Sequence, residues 1–272
     1  MCSADGEQVW RYGALRRRLR RGEIERLVRE GGLARVRRGV YASTSACADV
    51  VAAAAHGGVL GCESAAEHLG IWVLDVPQLH VWMHGDRHQY RHGDEPCTCV
   101  VHWDDAPSES AFGLPSVPRI LLQIFRCRGT ERFFVALESA RRLKLIDARG
   151  LRWLRMVLNS RGRDLVEFSR DTSDSGLESL LRLRLRPFGW DVRTQMWITG
   201  TGRVDLLIDG WLIVETDGRE GHDSPSHRHK DLVRDANAAA WGYSTLRFDY
   251  AMVVYDWDLV ERAIVGSLRS RR

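Results

Sequence analysis

Four carboxylates in the last third of the chain, Glu178, Asp205, Glu215 and Asp217, have the type and spacing to gather around a hard cation. Asp205 stands near the start of the apolar run 203–208, and Glu215 near the end of the run 211–215. Between the runs lies Asp209-Gly210, a dipeptide that tolerates the positive φ angles of a tight turn, so the runs read as an antiparallel hairpin that sets Asp205 against Glu215. Asp217 follows Glu215 by two residues and therefore falls on the same side of the strand. Carboxylates brought so close repel one another unless a cation neutralises them, and an oxygen-only ligand set suits Mg2+ or Mn2+. Such an ion would polarise a phosphate and lower the pKa of an attacking water.

The flanking sequence must supply the elements that position this hairpin. Residues 174–185 read as an amphipathic helix ended by Pro187 and Gly189. Its Ser175-x-x-Glu178 is also a capping box, which by itself explains the glutamate. A strand-like stretch near Gln195 leads into the hairpin. Beyond Asp217 comes a polar loop with His222, His227 and His229, followed at once by Lys230; any of the four could supply proton transfer or positive charge. Asp231, Arg234 and Asp235 share one face of the next helix at i, i+3 and i+4, a spacing that an intrahelical salt bridge accounts for. That helix stops at Gly242, and residues 242–248 form a last strand.

Taken in order, Val204-Asp205, Val214-Glu215-Thr216-Asp217-Gly218, His222, Asp231-x-x-Arg234-Asp235 and Gly242-Tyr243-x-x-Leu246-Arg247-Phe248 resemble the very-short-patch-repair (Vsr) branch of the PD-(D/E)XK endonucleases. The resemblance implies an α/β core with a central mixed sheet flanked by helices, Mg2+ (or Mn2+) dependence and DNA cleavage. It implies Asp205, Glu215 and Asp217 as metal ligands, Glu178 as their support from the helix, and His222 as general acid or base. Asp217 departs from the pattern, standing where the motif usually has lysine.

The front of the chain carries the positive charge. Residues 1–45 hold 11 arginines against five acidic groups, net +6, while residues 165–272 are net −2, within an overall charge of +4. Only Lys144 and Lys230 among the 40 basic residues are lysine, a bias better explained by a GC-rich genome than by nucleic-acid binding. Two short helical patterns end at Gly31-Gly32, and the run 33–41 alternates apolar and basic residues around a glycine, as a β-ribbon or wing does. Helices followed by a basic ribbon suggest a winged-helix-like α+β module in which Arg16, Arg17, Arg20, Arg35, Arg37 and Arg38 meet DNA phosphates. The segment Arg35-Val-Arg-Arg-Gly-Val-Tyr41 resembles the N-terminal module of AbiEi-type antitoxin regulators.

The expected organisation is a DNA-binding module over 1–45, an AbiEi-like α+β region over 46–165 with strands near 79–83 and 99–103, and a nuclease domain over 166–272. The stretch 85–96 reads as a loop. The six cysteines form no C-x-x-C pair, which argues against a structural zinc site and a secreted disulfide framework alike. His80, His84, His88, His92 and His102 read as scattered surface residues. With 44% hydrophobic residues, a polar start and no membrane-length apolar run, a cytoplasmic protein without membrane contact is expected. A homodimer would be natural for double-strand cleavage. The function expected is a Mg2+-dependent DNA endonuclease; the alternative is a DNA-binding regulator or antitoxin-like protein whose nuclease-fold domain is inactive.

Overall fold

Among the described residues, alternating short strands and amphipathic helices fold into three small sheets with helices packed on them, a mixed α/β architecture. The computed structural model describes residues 8–84, 97–104, 112–217 and 225–271. The chain divides into two compact units: Met1–Phe133 with Ala148–Gly162, and Phe134–Asp147 with Arg163–Arg272.

The first unit begins with β1 (Val9–Arg11), α1 (Tyr12–Arg18), α2 (Arg21–Arg29), β2 (Leu33–Arg37) and β3 (Val40–Ser43). The strands pair antiparallel in the order β1-β3-β2. β2 and β3 are the basic ribbon expected from the sequence, turning at Arg38-Gly39, where Gly39 has φ +75°. Leu15, Ile24 and Leu33 close a small core between the two helices and the ribbon. Next, α3 (Ala48–His56) buries Ala54 against Val9, Val40 and Ala42.

A second sheet follows, built from β4 (Val59–Leu60), β5 (His80–His84) and β6 (Val100–Asp104) in that order, with β4 antiparallel and β6 parallel to β5. Helix α4 (Cys62–His68) leaves β4, and α5 (Val117–Arg128) packs on α4. Gly58 is required here, because a Cβ at that position would lie 2.5 Å from the Trp82 carbonyl oxygen. The stretch 85–96, expected as a loop, lies outside the described residues. Helix α6 (Thr130–Arg142) gives its first turn to the first unit and the rest to the second. Helices α7 (Ala148–Val157) and α8 (Ser160–Phe168) follow.

The second unit is organised on one four-stranded sheet. Helix α9 (Gly176–Leu185) ends in a single 3-10 turn, Arg186–Phe188, and Gly189 at φ +68°. Then come β7 (Val192–Ile198), β8 (Gly202–Ile208) and β9 (Leu212–Asp217), a meander in which each strand is antiparallel to the next. Asp209 and Gly210 have φ of +48° and +77°, the positive pair expected of this dipeptide at a hairpin turn. Helix α10 (Pro225–Ala240) crosses over to β10 (Ser244–Asp249), which pairs parallel to β9, giving the order β10-β9-β8-β7. Helices α11 (Tyr250–Tyr255) and α12 (Trp257–Ser270) complete the unit. Leu206, Leu207 and Ile208 are all buried, so β8 is covered on both faces, as its unbroken apolar run requires. Among the described residues no helix is long and apolar enough to cross a membrane.

Candidate functional site

Two acidic residues of the second unit, Glu178 and Asp205, meet where α9 faces the β7–β8 hairpin. Ser175 is the N-cap of α9, in extended conformation, and its Oγ accepts from the Glu178 backbone N–H at 3.2 Å. That is half of the expected capping box. The Glu178 carboxylate reaches one residue further back and accepts from the Asp174 N–H at 3.0 Å. The same oxygen accepts from the Gln195 side-chain amide at 2.7 Å, and that amide nitrogen also lies 3.5 Å from Asp205 Oδ1. Gln195 itself sits in β7 with φ +54°. Asp205 is fixed from the other side: its Oδ2 accepts from the Thr216 N–H at 2.8 Å and from the Thr216 hydroxyl at 3.1 Å.

Glu178 is only 2% exposed, and burial first, then the charge of Asp205, raises its pKa to about 7. In the folded chain the proton is held more tightly than in the unfolded chain, where the ordinary value is 4.5. The stabilising contribution is therefore full below that ordinary value and is lost as pH rises through about 7. Metal-free protein is expected to lose roughly 3 kcal/mol of stability over this interval. Denaturant melts in EDTA at either end of it should show the loss, and Glu178→Gln should remove the slope; an unchanged slope in that variant would assign the titration to another group.

Glu215 takes a different set of partners. The register Leu206↔Val214 continues to place Asp205 opposite Glu215, as the hairpin predicts. Yet Glu215 Oε1 is 2.9 Å from Arg234 Nη2, and its Oε2 is 3.1 Å from Arg247 Nε. Burial raises the pKa of Glu215, and the two guanidiniums pull against that rise. Arg247 also forks onto Asp235 at 2.6 and 2.7 Å, while Arg234 donates to the Thr201 and Arg203 carbonyls. Arg234 and Asp235 thus make pairs between elements, Arg234 joining α10 to β9 and Asp235 joining α10 to β10, while the side chain of Asp231, the third residue of the expected helical face, lies outside the described residues. These pairs form because the sheet presents a half-buried carboxylate, Glu215, and a second arginine, Arg247, to this face of α10.

Among the described residues no three carboxylates offer oxygens within 4.8 Å of one another. The pair brought together through one amide is Glu178 and Asp205, with Glu215 turned to its arginines. Asp217 ends β9, but its side chain, like the whole of His222, lies outside the described residues. The chain matches no family profile and no curated protein sequence. Gln195 is the site residue that sequence reading passes over. Its one signal is position, since the pairs Thr194↔Leu206 and Met196↔Val204 set it across from Asp205.

In the first unit Arg16, Arg17, Arg20, Arg35 and Arg38 are exposed, and Arg37 is half-buried. Arg16 also donates to the Leu19 carbonyl at 3.0 Å, closing the C-terminal end of α1. Between α2 and the ribbon lies a groove of about 450 Å³ whose lining includes Tyr12, Arg21, Arg35 and Tyr41. Two of the histidines expected as scattered surface residues, His80 and His102, are instead brought together, while His88, His92 and the side chain of His84 lie outside the described residues. His80 is fully buried, and its Nδ1 stands 3.0 Å from His102 Nε2 with the rings stacked. Burial, with His102, Arg128 and Arg132 nearby, holds His80 down to about 4, so its ring is neutral. Cys62, also fully buried, lies beside them.

Proposed function

We propose that the second unit is a Mg2+- or Mn2+-dependent DNA endonuclease and that the arginine-rich start of the first unit binds DNA. The observation that carries the reading is the Glu178–Gln195–Asp205 group. A buried acid, Glu178, and a half-buried one, Asp205, are drawn to one amide, burial and the charge of Asp205 push the Glu178 carboxyl up to about 7, and Gln195 Oε1 is a buried acceptor with no hydrogen-bond partner. Hard oxygen donors in this state fit a divalent cation, which would relieve the repulsion and occupy the orphaned acceptor. Glu178, Gln195 and Asp205 would hold the ion, with Asp217 joining them by the Vsr-like pattern. Bound there, it would supply Lewis-acid polarisation of the scissile phosphate and a more acidic water.

The remaining roles fall to the chain's own groups. Arg234 and Arg247, each about one-third exposed beside Glu215, have the forked donors that suit phosphate oxygens. His222 is assigned proton transfer on the resemblance alone. The order α9, β7, β8, β9, α10, β10 supports a PD-(D/E)XK-like core, and the order α1, α2, β2, β3 supports a winged-helix-like module.

The two arginines on Glu215 favour a second reading, an inactive nuclease fold that serves a DNA-binding regulator. Incubating the full chain with plasmid, mismatched duplex and single-stranded DNA in Mg2+, Mn2+ or EDTA separates the two. Metal-dependent cleavage of any substrate supports the enzyme; intact DNA throughout supports the regulator. DNA binding itself has a salt signature. Changing Arg17, Arg20, Arg35 and Arg38 together to alanine should weaken binding uniformly across sequences and flatten the log–log salt slope by about 0.9 for each phosphate no longer neutralised. An unchanged slope in a shift assay would place the DNA surface elsewhere.

A further inference from the structure

We propose that Cys62, His80, His102 and Cys127 of the first unit form a tetrahedral Zn2+ site. One potential ligand atom from each of the four lies within 4.8 Å of all the others. A tetrahedral shell with Zn–S of about 2.3 Å and Zn–N of about 2.0–2.1 Å has edges of roughly 3.3–3.8 Å. Closing on an ion therefore requires side-chain shifts of about an ångström. Two sulfurs and two imidazoles select zinc over magnesium or calcium, and four protein ligands leave no position open for substrate, so the site is structural.

The backbone is arranged to present these ligands. Cys62 is the first residue of α4 and has φ +47°, a left-handed value that is strained for a non-glycine residue and persists only where its surroundings enforce it. They do so here: the Cys62 N–H donates to Gln123 Oε1 at 2.8 Å, and Gly61 lets the turn press on β5, where a Cβ would lie 2.9 Å from Trp82 Cβ. His80 opens β5, His102 lies in β6 two register steps along the parallel pair, and Cys127 sits in the last turn of α5. Cys127 is exposed, which gives an ion a way in.

The far side of His80 is built to support a metal ligand. Its Nε2 is buried without a hydrogen bond and stands 3.8 Å from Glu63 Oε2, a carboxylate with no exposed surface that is paired with Arg128 at 2.8 Å and Arg132 at 2.7 Å. At 3.8 Å the carboxylate favours a proton on Nε2 by its charge, and the shift that closes the site would let it accept that proton in a hydrogen bond, the usual support for an imidazole that binds metal through Nδ1. Without metal the Nδ1 lone pair accepts from His102 Nε2–H, 3.0 Å away; for a cation to sit between the rings the His102 proton shifts to Nδ1 of its own ring, which frees both facing nitrogens as ligands. On binding, each thiol S–H bond breaks, each thiolate forms an S–Zn bond, and two protons pass to solvent.

The full chain, isolated without chelator, should contain about one zinc per molecule by elemental mass spectrometry, and replacement by Co2+ should give thiolate-to-cobalt charge-transfer and tetrahedral d–d bands. Cys127→Ser, at an exposed position that leaves the core intact, should weaken zinc binding at least tenfold and lose the thiolate bands' intensity. Glu63→Gln should weaken it roughly 10–100-fold. Cys97→Ser, in the separate group His56, Cys97 and Cys99, should retain the ion. The proposal fails if the isolated chain is metal-free and its melting temperature ignores added Zn2+, if Cys127→Ser binds zinc as tightly as the parent, or if Cys62 and Cys127 are found joined as a disulfide.

Discussion

Asp205→Ala is expected to abolish metal-dependent DNA cleavage, with a loss in kcat well beyond 10²-fold. Removing a group that merely supports a metal ligand costs roughly 10–100-fold, and Asp205 is proposed as a ligand itself. The structure makes the experiment selective. Thr216 donates twice to Asp205 Oδ2, so the side chain has a structural job as well as a chemical one. Asp205→Asn keeps an oxygen able to accept those bonds and discards the charge. It should melt within about 1 kcal/mol of the parent, the scale of one ordinary hydrogen bond, and still fail to cleave. Both variants remove the second-largest cause of the raised Glu178 pKa, so the titration of Glu178 should move down in each. Cleavage that persists in the asparagine variant would remove Asp205 from the metal site, and a titration that stays put would show that the two acids are not coupled.

What the sequence makes legible is local, and what it hides is held across elements. The Asp209-Gly210 turn, the capped helix stopping at Gly189, the β8–β9 hairpin and the last strand all follow from residues close together in the chain, where turn chemistry and apolar period act directly. The acid pair is legible only in part. Nothing local indicates that Glu178 and Asp205 share Gln195, because that bridge depends on a strand residue at φ +54°. Nor does it reveal that Glu215 belongs to Arg234 and Arg247, which arrive from α10 and β10. The four residues of the zinc proposal lie on α4, β5, β6 and α5, so no C-x-x-C spacing marks them, and the absence of that motif leads to the opposite expectation. His80 and His102 look dispersed in the chain because a parallel pairing, invisible to short-range patterning, is what stacks them.

Arg182→Met should carry the largest stability cost in the second unit, about 3–5 kcal/mol. Arg182 and Glu138 are 2% and 1% exposed and pair through a charge-assisted hydrogen bond. The guanidinium lies over the Phe168 ring at 4.1 Å and near Phe134 at 5.3 Å. The Glu138 carboxylate further accepts from the Arg170 N–H and the Ser173 hydroxyl. Methionine fills the space between the rings but strands a buried carboxylate, and that stranded charge, rather than the missing attraction, sets the cost. The double variant Arg182→Met with Glu138→Gln should therefore regain most of the loss, and denaturant melts of the two singles and the double measure the difference. Arg182 follows Glu178 by one helical turn on α9, so the pair also holds the helix that carries a proposed metal-site residue. Below its melting temperature Arg182→Met should cleave like the parent, and above it lose activity together with structure; activity lost while the fold persists would give Arg182 a role in the site itself.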